Sequence, residues 1–210
     1  MNIETLKAVV FDCDGVLFDT ALANRKFYNA ILADYGKSPL TDEQFINVHM
    51  MTVKGAVEYL FPELDSPQSV YETIKTIGYA RFNSYMQMED GLVELLDALK
   101  ENGFIRGIAT NRTNTMEQVL DDFNLAHCFD LVMTAGKVAH PKPDPEQLLK
   151  IMDHFELEPR EILFVGDSSF DEQAARNAGT HFAAFRSSKL VADVHVESMN
   201  ALQNLLLPNK

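Results

Sequence analysis

Five short apolar runs stand out along the chain, at residues 8–12, 105–110, 130–134, 162–167 and 182–185. Each is continuous rather than alternating, the pattern of parallel strands covered on both faces. Helix-length segments separate the later runs. Residues 114–123 place Met116, Val119, Leu120 and Phe123 at helical spacing. Residues 145–155 open on Pro145, tolerated in a first helical turn, and put Leu148, Leu149, Met152 and Phe155 on one side. Residues 168–178 close on Gly179, a C-terminal cap. Strand alternating with helix predicts an α/β fold, a doubly wound, Rossmann-like parallel sheet.

The stretch after the first run breaks this rhythm. It holds no strand-like run and reads as helices over 22–35, 41–48, 53–61 and 67–85. Thr41 with Gln44 three residues later forms a capping box, and Gly36 and Ser66-Pro67 punctuate the rest. A block of about 70 residues far exceeds the 2–6 usual between a strand and its helix. Residues 20–88 are therefore expected to form a separate helical cap, with 1–19 and 89–210 as the α/β core.

Composition narrows the function. The 210 residues are 46% apolar and 23% charged, which suits a globular chain and not a disordered one. Thirty-one acidic against 18 basic residues leave a net charge of −13, which argues against nucleic-acid or anionic-membrane partners. No apolar run approaches the roughly 18 residues of a membrane helix. The first seven residues carry no secretory pattern, and two cysteines, Cys13 and Cys128, fit a reducing interior, so a cytoplasmic location is expected. An anionic substrate then requires a site with its own cations.

Four constellations fall at the carboxyl ends of predicted strands, where open parallel sheets hold ligands. The first is Asp12-Cys13-Asp14-Gly15, with two carboxylates two residues apart. The second is Thr110-Asn111, a hydroxyl and amides ahead of a helix, which suits an anion. The third is His140-Pro141-Lys142-Pro143-Asp144-Pro145, a lysine in a proline-stiffened turn. The fourth is Gly166-Asp167-Ser168-Ser169-Phe170-Asp171. An isolated Asp-x-Asp reads as a solvated turn. Four such groups, all able to face one crevice, do not.

With these motifs in this order, the chain resembles the haloacid dehalogenase superfamily, in the branch of phosphoglycolate phosphatases and β-phosphoglucomutases that carries a helical cap between the first two motifs. The resemblance implies a Mg²⁺-dependent phosphatase acting on a small phosphorylated metabolite. Asp12 would be the nucleophile that becomes an aspartyl phosphate, and Asp14 the general acid and base. Thr110 and Lys142 would hold the phosphoryl oxygens. Asp12, the Asp14 main-chain carbonyl and Asp167 would bind Mg²⁺, with Asp171 orienting Lys142 or a metal-bound water. The Lys142–Pro143 bond is a candidate for the cis form.

Other residues carry weaker signals. Asn111 and Arg112 are candidates for contact with substrate beyond the phosphate. In the insert, residues 48–55 break between two helices, and branch caps aim such a segment at the leaving group, so His49 and Lys54 are specificity candidates. Asp19 and Thr20 read as helix N-cap residues. Cys13 is no thiol nucleophile, because Asp19 stands where a Cys-x₅-Arg phosphatase needs arginine. Asp14 disfavours dehalogenation and phosphonate cleavage. A sugar-phosphate mutase and a noncatalytic protein that retains the fold stay open, and so does the oligomeric state.

Overall fold

The computed structural model describes residues 1–64 and 66–208. After a short 3₁₀ turn, β1 (Ala8–Phe11) runs into a loop, and β2 (Phe18–Asp19) leads into α1 (Ala21–Asp34), α2 (Asp42–Met50), α3 (Val53–Leu60) and α4 (Gln68–Ile77). A 3₁₀ segment (Tyr79–Tyr85) and β3 (Gln87–Met88) bring the chain back. Then follow α5 (Leu92–Glu101), β4 (Ile105–Thr110), α6 (Met116–Asp122), β5 (Leu131–Thr134) and α7 (Glu146–Phe155). The last elements are β6 (Ile162–Gly166), α8 (Ser169–Ala178), β7 (His181–Phe185), β8 (Val194–Val196) and α9 (Met199–Leu206).

Six strands form one parallel sheet in the order β5-β4-β1-β6-β7-β8. Its strands bury both faces, which is why they read as unbroken apolar runs. Val9 and Phe11 of β1 pack with Ile108, Leu163 and Val165 against α5, α6 and α9. Ala8 and Val10 turn the other way, with Ala109 and Phe164, onto α7 and α8. The chain leaves β1 for β4 on one side and later returns to β6 on the other, so a crevice opens at the carboxyl end of β1.

The insert has a core of its own, with Phe27, Ile31, Leu40, Phe45, Val57, Leu60 and Val70 among its buried side chains. The Thr41–Gln44 capping box forms at the start of α2. Entry and exit run side by side: β2 and β3 pair antiparallel, Phe18 with Met88 and Asp19 with Gln87.

The sequence pattern misplaced some elements. The helix expected over 67–85 stops at Ile77, because Gly78 takes φ +68° and turns the chain into the 3₁₀ segment. Pro145 sits at the N-cap of α7, one residue before the helix. Thr20 occupies the N-cap of α1, but its hydroxyl makes no capping bond to the helix backbone and accepts from Asn24 Nδ2 at 3.4 Å, while Asp19 Oδ1 accepts from the Ala21 amide at 3.0 Å. The strands of the hairpin β2–β3 and β8, two or three residues long, are too short to show a run, while α5 and α9, with leucines at helical spacing, lie outside the helices the pattern predicts.

Candidate active site

The crevice holds a cavity of about 490 Å³ between the sheet and the insert, and Asp12, Asp14, Thr110, Asn111, Arg112, Lys142 and Asp167 all line it. Lys142 is the central cation of its floor. Buried at 3% exposure, it donates to Asp12 Oδ1 at 2.9 Å and to Asp171 Oδ1 at 2.6 Å. The Lys142–Pro143 bond is cis. Asp12 Oδ1 also accepts from the Cys13 amide at 2.7 Å, which fixes its rotamer. Asp171, fully buried in the first turn of α8, takes the Ser168 amide at 3.1 Å and hydroxyl at 2.5 Å on its other oxygen. It is therefore both a capping-box residue and the anchor of Lys142.

Glycine makes two of these approaches feasible. Gly15 sits at φ +79°, and a Cβ there would overlap the Asp167 carboxylate. A Cβ on Gly166 would collide with Asp171. Both glycines let backbone and carboxylate close to a distance that no larger residue permits.

The floor carries more negative charge than Lys142 neutralises. Burial, with Asp171 and Asp14 nearby, lifts the Asp12 carboxyl to about 7 despite Lys142. Burial and the charges of Asp171 and Asp12 likewise push Asp167 well above the usual carboxylate range. Burial alone would lower Lys142, but Asp12 and Asp171 outweigh it and raise it. Oxygens of Asp12, Asp167 and Asp171 lie within 4.8 Å of one another. Such hard donors with surplus negative charge suit a divalent cation of the Mg²⁺ type. Asp171 is already engaged by Lys142 and Ser168, which leaves Asp12 and Asp167 as the available carboxylates.

Above the floor, Arg112 forms a two-point bridge to Asp14, Nε to Oδ2 and Nη2 to Oδ1, both at 2.8 Å. Burial would raise the Asp14 carboxyl, but the guanidinium outweighs it and holds Asp14 down to about 2. Tyr79 supports the bridge: its ring lies 4.7 Å under the guanidinium, and its hydroxyl accepts from Arg112 Nη2 at 3.0 Å. The Tyr79 hydroxyl donates to Asn24 Oδ1, and Asn24 Nδ2 donates to His49 Nδ1 at 2.9 Å. His49 stacks on Phe45, and burial lowers its imidazole against the opposing pull of Asp14.

Other candidates fall as follows. Thr110 is fully buried and its hydroxyl accepts from the Arg112 amide at 3.2 Å, which leaves its own proton free to be donated. Asn111 Nδ2 joins the Met50 carbonyl of the insert at 3.3 Å to the Lys142 carbonyl at 3.0 Å. His49 lines the cavity. Lys54 does not: its side chain is 76% exposed and faces Glu58 at 3.9 Å. The first turn of α3 instead presents Val53 to the cavity. Asn24 and Tyr79 escaped the sequence reading. A buried asparagine amid the apolar side of α1 was the available signal for one, and the glycine just before Tyr79 for the other. Cys13 and Cys128 are buried free thiols, and burial raises both.

A family model described as haloacid dehalogenase-like hydrolase matches residues 9–185. The chain belongs to the haloacid dehalogenase-like hydrolases. A phosphoglycolate phosphatase of Nitrosospira multiformis is 33% identical to this hydrolase over 189 residues, covering 84% of this chain and 81% of the relative. An N-acetylmuramic acid 6-phosphate phosphatase of Pseudomonas aeruginosa is 32% identical over 187 residues, covering 86% and 82%. Among solved structures, a haloacid dehalogenase-superfamily hydrolase of subfamily IA from Geobacter sulfurreducens superposes with a TM-score of 0.78 at 38% identity, covering 96% of this chain and 97% of that one. The hydrolase therefore shares both sequence and fold with members of its family.

Proposed function

We propose that this hydrolase is a Mg²⁺-dependent phosphatase that cleaves a small phosphorylated metabolite through an aspartyl phosphate on Asp12. Its relatives are named as phosphatases. The observation that carries the reading is the floor itself: a carboxylate fixed by the Cys13 amide and by a lysine that a second, fully buried carboxylate holds in place. That arrangement presents an oxyanion and a cation side by side, as attack on a phosphoryl group requires.

Asp12 attacks through Oδ2, which meets no protein donor among the described residues, while Oδ1 stays with Lys142 and Cys13. Lys142 and the Thr110 hydroxyl receive the charge that builds on the phosphoryl oxygens. Asp171 keeps Lys142 from swinging into full contact with Asp12 alone. Once parted from Arg112 and protonated, Asp14 hands that proton to the departing alkoxide and later takes one from the water that cleaves the aspartyl phosphate. Mg²⁺, held by Asp12, Asp167 and the Asp14 carbonyl, would offset the repulsion between Asp12 and an incoming phosphate. The insert closes the crevice and excludes bulk water, with His49 touching the leaving group. The buried, reduced cysteines support a cytoplasmic setting. A mutase of the same fold would transfer the phosphoryl group without freeing phosphate.

Phosphate release from a panel of monoesters tests the reading. Turnover should occur with Mg²⁺ and stop in EDTA, and Asp12→Asn should lose at least about a thousandfold in kcat while staying folded. Full activity in EDTA, or in a folded Asp12→Asn, would overturn it; a need for a bisphosphate activator with no free phosphate would indicate the mutase.

A further inference from the structure

Thr110 and Lys142 come from different loops, yet both are to meet one phosphoryl group, so the distance between the loops must be held. Two side-chain amides brace them against each other. Gln147, in the first turn of α7 and on the segment that carries Lys142, donates from Nε2 to the Thr110 main-chain carbonyl at 2.8 Å. Asn111, next to Thr110, returns the contact from Nδ2 to the Lys142 main-chain carbonyl at 3.0 Å. Gln147 lies outside the cavity. It is fully buried, and the other buried residues of α7 are Leu148, Ile151 and Met152. Its Oε1, like Asn111 Oδ1, has no hydrogen-bond partner among the described residues.

A buried amide whose oxygen is orphaned lowers stability relative to an apolar side chain of the same shape. Leucine or methionine at this position would serve the core better. What only the amide supplies is its bond to the end of β4. We infer that Gln147 is a positioning residue of the phosphoryl site. By holding the Thr110 carbonyl it sets the backbone there, and with it the gap between the Thr110 hydroxyl and the Lys142 ammonium. Gln147 never meets the substrate and acts through Thr110 alone. The inference rests on the phosphatase reading for the roles of Thr110 and Lys142. Misplacing such a group by about 1 Å can cost on the order of a hundredfold in rate, although the residue responsible stands away from the chemistry.

A double-mutant cycle between Gln147 and Thr110 tests this. Gln147→Met keeps the length of the side chain and removes its donor. It should melt within about 2 °C of wild type, or higher. Its kcat should fall about tenfold or more while KM moves less than about threefold, because Thr110 matters most as charge builds on the phosphoryl oxygens. Thr110→Val should lose at least as much. In the double variant, Gln147→Met should add less than about twofold to the loss from Thr110→Val. A folded Gln147→Met with wild-type kcat, or losses that multiply in the double variant, overturns the inference. So does failure of both Gln147→Met and Gln147→Leu to fold, since the amide would then be structural. The same cycle can be read without turnover, in the Kd of orthovanadate with Mg²⁺ present, which takes the five-coordinate shape of a phosphoryl group in transfer. Gln147→Met should weaken it about tenfold, and hardly at all once Thr110 is valine. Absence of phosphate release from every ester would refute the phosphatase reading, and the vanadate cycle would still decide this one.

Discussion

Among single residues, Asp14 is the most constrained by what surrounds it. It lies bonded on both oxygens to Arg112 and ionised far below neutral pH. As a proton donor it must part from that bridge, so its contribution should appear only where a leaving group needs the proton. Asp14→Ala should lose roughly 10²–10⁴-fold in the burst of alcohol release from alkyl phosphates, and much less from p-nitrophenyl phosphate. Single-turnover measurement isolates that step, and equal losses on both would refute the role. The sequence made Asp12, Asp14, Thr110, Lys142 and Asp167 legible because each follows an apolar run and topology does the rest. It hid the Arg112–Asp14 bridge, whose partners are 98 residues apart, and it hid Tyr79, which looked like one more apolar position of a long helix. Lys54 misled for the opposite reason: a cation near a helix break signals a site only if the helix turns it inward, and α3 turns it out.

At the scale of elements, the strands were legible because burial on both faces leaves no polar alternation, whereas β8, three residues long, is too short to register as a run. The join between β6 and α8 depends on contact at one atom's width. Gly166→Ala would drive a methyl group into Asp171, and the expected cost is about 1–3 kcal/mol. A chain this long should then melt about 2–4 °C lower per kcal/mol, as thermal unfolding would show. Activity should fall further than stability, since Asp171 positions Lys142. On the far side of the sheet, Asp130 ties the start of β5 to β4, accepting from the Arg106 amide at 2.8 Å and from its guanidinium at 2.9 and 3.2 Å. Partial burial would raise this carboxyl, but the bonds from Arg106 prevail and lower it. Its stabilisation is therefore complete above the ordinary carboxylate value of about 4 and fades as pH drops through the lower folded value. Asp130→Asn should cost about 1 kcal/mol at pH 7, and the gap to wild type should close in acid. A gap that does not narrow at all as pH falls below about 4 would assign the loss to packing instead.

For the molecule as a whole, charge and function pull against each other. A net charge of −13 repels the phosphate esters that the cavity is proposed to receive, and Lys142, Arg112 and Lys75 act only at short range. Salt should screen the long-range repulsion first. At fixed Mg²⁺, kcat/KM for a dianionic ester should rise about two- to fivefold between low and physiological ionic strength. A steady fall over that range would mean that the local cations steer the encounter.

The pairing of Phe18 with Met88 and of Asp19 with Gln87 bears on how such a chain came to be assembled. Because the two ends of the insert emerge as neighbouring strands and the segment between them folds on a core of its own, the entropy of closing it rises only slowly with its length. A two-residue turn of Asn-Gly type joining Asp19 to Gln87 would close the same hairpin. The insertion point is thus a socket: helical segments of other sizes and shapes can be exchanged there without disturbing the sheet, and substrate choice can change while the machinery at the carboxyl end of β1 stays as it is.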